Sequence, residues 1–263
     1  MEFIHTGGLR YLTFDIFPSE VVHAVFTRQG GVSPEPWQSL NVGGTVGDER
    51  SRVRENRYRS FHAVGRQVNS LFDVWQVHSA DVVLANAPHP RYENPPEFKA
   101  DAIITDNPAV TLFMRFADCT PILLYDPRKR AVGIVHAGWL GTVRRAAGET
   151  VKAMRAAFGS KPSDILAAIG PSIGPDHYEV GNDVETQVRY AFGKEAELLL
   201  HRNHGPKAHF DLWMANQLVL RQAGVEQIQV AGLCTACHPA DWYSHRAQKG
   251  KTGRFGALIA LRQ

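Results

Sequence analysis

The chain has 263 residues, 44% hydrophobic and 21% charged, which excludes disordered and fibrous classes and matches a length at which one α/β domain (1–263) still buries a core. Its 29 Lys and Arg against 26 Asp and Glu leave a formal charge of +3, too small to imply a nucleic-acid partner. The N-terminus carries no basic region followed by an apolar run, and no stretch reaches the ~18 apolar residues of a membrane helix, so a cytoplasmic protein with no membrane association is expected.

In chain order, Val21–Phe26 reads as a strand and Asp73–Val77 as another. Ala100–Thr105, Val110–Phe116, Pro121–Tyr125 and Ala131–Val135 add four strand-like runs, separated by Asn-Pro and Asp-Pro turns. Val143, Ala146, Ala147, Thr150, Val151, Met154 and Phe158 recur at helical spacing and predict a helix over 142–158, stopped by Gly159. Val180–Phe192 and Asp211–Ala223 predict two more helices, the second ending before a strand at Gln227–Ala231. Ala85–Lys99, with four prolines, and His201–His209 read as loops. This alternation describes one α/β domain with a mixed sheet.

Three side chains stand at predicted strand ends: His78 after Val77, Cys119 after Phe116 and His136 after Val135. If those strands lie together and run the same way, two imidazoles and a thiolate converge, a set that suits zinc and leaves a fourth position open for chemistry. Asp118 and Asp81 are candidates for proton transfer or for orienting a histidine. The ligands are separated by 41 and 17 positions, which is no compact metal signature, so spacing alone favours a core cysteine and two loop histidines over a metal site.

The three cysteines, Cys119, Cys234 and Cys237, argue against a disulfide framework. Cys234-Thr235-Ala236-Cys237-His238 matches the attachment pattern for c-type haem and contains a zinc-like cysteine pair. The missing export signal argues against haem, and the absence of a second pair assigns Cys234 to core packing. Gln29-Gly30-Gly31-Val32-Ser33, beside Arg28, reads either as an anion-binding turn or as a plain hairpin turn.

A series of short motifs runs along the chain: Arg28 to Ser33, Leu40-Asn41-Val42, Val53-Arg54-Glu55-Asn56-Arg57, Gln76-Val77-His78 and Ala100-Asp101-Ala102. It continues with Ala117-Asp118-Cys119-Thr120-Pro121, His136-Ala137-Gly138-Trp139, Gly170 to Gly174, Tyr178-Glu179-Val180-Gly181, Cys234-Thr235, Tyr243-Ser244, Arg246 and Thr252-Gly253-Arg254-Phe255. In number and order these resemble the laccase-domain family, long labelled polyphenol oxidase and assigned as purine nucleoside phosphorylases with adenosine deaminase activity. The resemblance implies a four-layer α/β/β/α sandwich with mixed sheets, like the catalytic domain of cytotoxic necrotizing factor, as a monomer or homodimer.

It also implies Zn2+, with Cu2+ as an alternative occupant, on His78, Cys119 and His136 as catalytic residues together with Asp118. Implied substrates are adenosine, inosine, guanosine and methylthioadenosine with phosphate, the phosphate held by Arg28 and Arg57 with Ser33 and Asn41 in support. Rival readings are a copper-dependent polyphenol oxidase and a hydrolase of cell-wall precursors using Cys119 as nucleophile. The family pattern continues His-Ala-Gly-Trp with Arg-Gly, whereas Leu140 precedes Gly141 here, leaving Arg144 or Arg145 to supply the missing cation.

Overall fold

The apolar runs of this chain form strands that fall into two stacked sheets; the structure, a computed structural model, describes residues 1–90, 97–202 and 205–263. In chain order the elements begin with β1 (Glu2–Thr6), β2 (Leu9–Thr13), β3 (Val21–Phe26), α1 (Arg50–Ala63), β4 (Leu71–Phe72) and β5 (Val82–Leu84). They continue with β6 (Ala102–Thr105), β7 (Thr111–Phe116), β8 (Thr120–Asp126), β9 (Ala131–Ala137), α2 (Trp139–Val143), α3 (Ala146–Phe158) and β10 (Leu166–Ile169). The remainder are β11 (Glu179–Val180), α4 (Asn182–Phe192), α5 (Ala196–Leu199), β12 (Leu200–His201), β13 (Ala208–Phe210), α6 (Leu212–Gln222), β14 (Gln227–Val230) and β15 (Phe255–Leu261).

One sheet has the order β1-β2-β3-β15-β7-β4 and the other β14-β10-β8-β9-β6-β5, with β11, β13 and β12 in a small third sheet. Both large sheets are mixed: β4 runs parallel to β7, β5 to β6 and β10 to β14, while the remaining pairs are antiparallel. Strands β8, β9 and β15 are buried along their whole length, which explains why their sequences are continuous apolar runs rather than alternating ones.

Three separate clusters of buried side chains define four layers. Phe61 of α1 packs with Tyr11, Phe26, Phe113 and Leu258 on the outer face of the first sheet. Leu112, Met114 and Ile259 of that sheet meet Ile103, Leu123 and Ile134 of the second, and these make the central core. The far face of the second sheet, with Ile104, Leu124 and Ile169, is covered by Val151 and Met154 of α3 and Val219 of α6. Each such fully buried side chain contributes roughly 1.5–3 kcal/mol of transfer free energy. The chain is therefore an α/β/β/α sandwich with mixed sheets.

The structure corrects several sequence expectations. Asp73–Val77 is not a strand: the chain leaves the first sheet after Phe72, where Asp73 turns inward to Arg57 and Arg115, and only Trp75 makes an isolated bridge, to Lys99. The helix expected over 142–158 is two, broken at Arg145, whose φ of 61° lies in the left-handed region. Arg145 is held there by Gln222, by the Ala191 carbonyl at 3.2 Å and by the face of Phe192. The loop expected at 201–209 is invaded by β12 and β13, with 203 and 204 outside the described residues, as are 91–96 of the proline-rich loop. As expected, Gly159 stops α3, with φ 70°; Asp211, read from the sequence as the start of a helix, is the N-cap of α6 and accepts the Met214 amide at 2.9 Å. No helix among the described residues is long and apolar enough to cross a membrane.

Candidate metal centre

His78 lies on the connection from β4 in the first sheet to β5 in the second, and Cys119 on the connection from β7 to β8, which makes the same crossing. His136 belongs to β9, and the antiparallel register that sets Pro121 opposite His136 delivers Cys119 to its end of the strand. Convergence thus arises where the chain twice passes between sheets, not at the carboxyl ends of neighbouring parallel strands.

The ligand atoms of the three residues lie within 4.8 Å of one another. Cys119 Sγ is 3.9 Å from His78 Nε2, and the two imidazole centroids are 5.1 Å apart at 67°. His136 is buried at 5% exposure, Cys119 is half-buried and His78 is exposed, so the cluster opens to solvent on the His78 side. Two ordinary residues at the centre adopt positive φ, His78 at 60° and Asp118 at 79°, a strain of about 1–3 kcal/mol each of the kind found where local geometry serves a site.

Asp101 organises this arrangement. Its Oδ1 is 2.8 Å from His136 Nδ1, which places the Nδ1 proton between them and leaves Nε2 as the free donor atom. Its Oδ2 accepts the Val77 amide at 3.0 Å and the Ser79 amide at 2.6 Å, the two peptide groups flanking His78. The carboxyl is fully buried, which alone would raise its pKa, but the His136 bond and charge and the two amides outweigh burial and hold it below the usual carboxylate range. The expectation that Asp118 or Asp81 orients a histidine is thereby corrected to Asp101, which stood in the motif series without a role.

Asp118 has another task. Its Oδ1 accepts the Thr235 hydroxyl at 2.6 Å, its Oδ2 the Arg246 amide at 2.7 Å, and its carbonyl the Ile173 amide at 3.0 Å. With both oxygens engaged and 8% exposure, it pins two distant loops to the residue before Cys119 rather than presenting a proton.

The expected phosphate ligands are also engaged elsewhere. Arg57 donates to the Val42 carbonyl at 3.1 Å and pairs with buried Asp73 at 3.6 Å. Ser33 and Asn41, at 4% and 0% exposure, both donate to Asp48 Oδ2, at 2.6 and 2.8 Å. Arg28 ties the Gln38 and Pro239 carbonyls together and stacks on Tyr243, lining a cleft that shares no residue with the metal cluster. These four side chains hold loops together.

Other cations surround the cluster. Arg144 Nη1 donates to the His78 carbonyl at 3.1 Å, whereas Arg145 points away, so of the two arginines expected to offset Leu140 only the first reaches the site. Arg246 stacks over Tyr178 at 5.3 Å. Arg254, whose amide donates to Asn41 Oδ1 at 2.8 Å, is half-buried; burial lowers its pKa while the charges of Cys119 and Asp118 oppose that fall. Tyr178 is held protonated chiefly by burial and by the Cys119 charge. Glycine at 138 is required by close approach: a Cβ there would sit 2.7 Å from Cys119 Sγ.

Burial does not favour the haem pattern: Cys234 is 5% exposed and its Sγ accepts the Gly174 amide at 3.2 Å.

Residues 22–262 match the family model for the multi-copper polyphenol oxidoreductase laccase. A purine nucleoside phosphorylase of Deinococcus radiodurans is 41% identical over 92% of this chain and 89% of its own length. The purine nucleoside phosphorylase YlmD of Bacillus subtilis is 38% identical over 93% and 90%. In structure the chain is similar to YlmD from Geobacillus stearothermophilus, with a TM-score of 0.91 at 34% identity and 97% of both chains covered. It is equally close to the hypothetical protein YfiH of Bacillus licheniformis, with a TM-score of 0.91 at 31% identity and 99% of both chains covered. The chain belongs to the laccase-domain family, among whose members are proteins named purine nucleoside phosphorylase.

Proposed function

We propose that the chain is a zinc-dependent purine nucleoside phosphorylase of the cytoplasm that also deaminates adenosine. The observation that carries this reading is a single-ion donor set, His78, Cys119 and His136, with Arg144 on the His78 carbonyl, Arg246 over the Tyr178 ring and Arg254 near enough to interact with the Cys119 charge. Two imidazoles and one thiolate fit Zn2+ with a position left open, and Cu2+ is the competing occupant because it outranks zinc for such ligands. The set is too small for multicopper oxidation, which needs several histidine-rich centres joined by an electron path.

When bound, zinc supplies Lewis acidity toward a substrate oxygen or water. The chain supplies the rest. Asp101 fixes the His136 tautomer and the His78 loop, so the donor atoms are in place before substrate arrives. In phosphorolysis a phosphate oxygen bonds to the anomeric carbon as that carbon's bond to the purine nitrogen breaks, and the base takes up a proton. Arg254 and Arg246 hold the anionic nucleophile beside the cluster, and the protonated Tyr178 hydroxyl donates a hydrogen bond to the bound nucleoside. Deamination would place the purine carbon that bears the amine beside the same residues, where water adds to it and the amine leaves as ammonia.

Product analysis from adenosine tests the reading. Adenine and ribose 1-phosphate that form only with added phosphate, and inosine that forms without it, are the expected products. A Cys119→Ala protein that binds zinc normally and keeps both activities would sink the assignment.

A further inference from the structure

We propose that Asp176, His177, Cys234 and Cys237 form a second zinc site, closed and structural, separate from the catalytic cluster. Sequence reasoning set the Cys234–Cys237 pair aside because no second pair accompanies it; the fold supplies the missing ligands from the loop after Gly174. A tight turn over Thr235 and Ala236 places both sulfurs on one side, and one ligand atom from each of the four residues falls within 4.8 Å of all the others.

Four of the separations come within about 0.4 Å of the edges of a zinc tetrahedron. Bond lengths of about 2.3 Å to sulfur and about 2.0 Å to nitrogen or oxygen give tetrahedral edges of about 3.3 Å between N and O, about 3.5 Å between S and N or O, and about 3.8 Å between two sulfurs. Here His177 Nδ1 is 3.5 Å from Cys237 Sγ and 3.8 Å from Cys234 Sγ. Asp176 Oδ2 is 3.2 Å from Cys237 Sγ and 2.9 Å from His177 Nδ1. No large rearrangement is needed to admit an ion. The Gly174 amide donates to Cys234 Sγ at 3.2 Å, which fixes the position of that sulfur. Gly174 itself is needed there, since a Cβ would lie 2.6 Å from Asp176 Oδ1 and 3.2 Å from Cys234 Cβ.

Four protein ligands leave no open position, so the ion is a cross-link rather than a reagent. It joins the loop carrying Tyr178 to the turn carrying Thr235, and Thr235 donates to Asp118 next to Cys119. The second ion therefore braces the wall of the first site.

Metal content and cobalt spectra, which do not depend on turnover, test this. Protein purified from zinc-supplemented cells without chelator is expected to hold two zinc ions per chain after desalting, one in Cys119→Ala, one in Cys237→Ser and none in the double variant. Cobalt exchanged into Cys119→Ala should show thiolate-to-metal charge transfer, and His177→Ala added to that background should abolish it. These two exposed ligands offer independent variants should one fail to fold. A single zinc that disappears with Cys119→Ala, an ion lost on desalting, or a Cys234–Cys237 disulfide in freshly purified protein would each overturn the proposal. Because catalysis is not the readout, loss of the second ion is distinguishable from failure of the functional reading.

Discussion

Asp101 reaches His136 Nδ1 with one carboxylate oxygen, at 2.8 Å, and the amides on either side of His78 with the other. One buried side chain thus positions two of the three ligands. In Asp101→Asn the side-chain NH2 must face either the His136 proton or the two amides, so one ligand is displaced. Zinc affinity is expected to fall about 10–100-fold, the usual consequence of losing a partner behind a metal-bound histidine, while the fold persists. Competition against a chromophoric chelator measures it; unchanged affinity would show that Asp101 is dispensable.

Gly138→Ala should be more severe. The added methyl group lies 2.7 Å from Cys119 Sγ and 3.4 Å from His78 Cδ2, so the thiol or the histidine must move. Loss of stoichiometric zinc at the catalytic cluster is expected. Gly44→Ala, where nothing lies within 4 Å of the new carbon, serves as the control and should bind normally.

Arg57 and Arg254 test the division between cations that tie loops together and those proposed to hold phosphate. Arg57→Ala removes the more distant of two arginines from Asp73, Arg115 staying at 2.6 Å, and its bonds to the Val42 carbonyl, and should cost about 1–2 kcal/mol of stability while leaving the KM for phosphate unchanged. Arg254→Lys keeps the charge but loses the planar fork, and should raise that KM about tenfold with little change in unfolding midpoint. If Arg57→Ala instead raises the phosphate KM of an otherwise stable protein, the expectation from the motif series was right and the geometric reassignment wrong.

His23 in β3 accepts the Phe14 amide at Nε2, at 2.8 Å, and packs edge-on against Phe17 at 4.9 Å. Burial pulls its pKa from 6.5 to about 4. The unfolded chain therefore binds a proton that the folded chain refuses between these values. Stability is fully present above pH ~6.5 and falls by about 1.4 kcal/mol per unit as pH drops toward ~4, a total of roughly 3 kcal/mol. Urea unfolding across that window should show a shallower slope in His23→Gln than in the unsubstituted protein; identical slopes would remove His23 from the account.

The sequence made the buried strands legible because β7, β8 and β9 are apolar on both faces and need no partner to be noticed. Their stacking was not legible: β15 pairs with β3 and β7, contacts that periodicity cannot report, and the linear pattern described one sheet where there are two. For the site, the motif series selected His78, Cys119 and His136, but residue type alone could not say which arginines were already paired. Arg57 looked like a phosphate ligand until Asp73 was seen beneath it, and Arg254 stood in the motif series without a role because its approach to Cys119 depends on a strand at the far end of the chain. Asp176 and His177 are likewise remote from the cysteines they meet.

His78 and Cys119 each ride on a span that leaves one sheet for the other, so the catalytic ligand set does not exist in either sheet by itself. An ion bound there would recognise only chains whose halves have docked, and its binding free energy would add to the docked state alone. Such an ion would be a rivet between the sheets as well as a reagent, its uptake coupled to their docking.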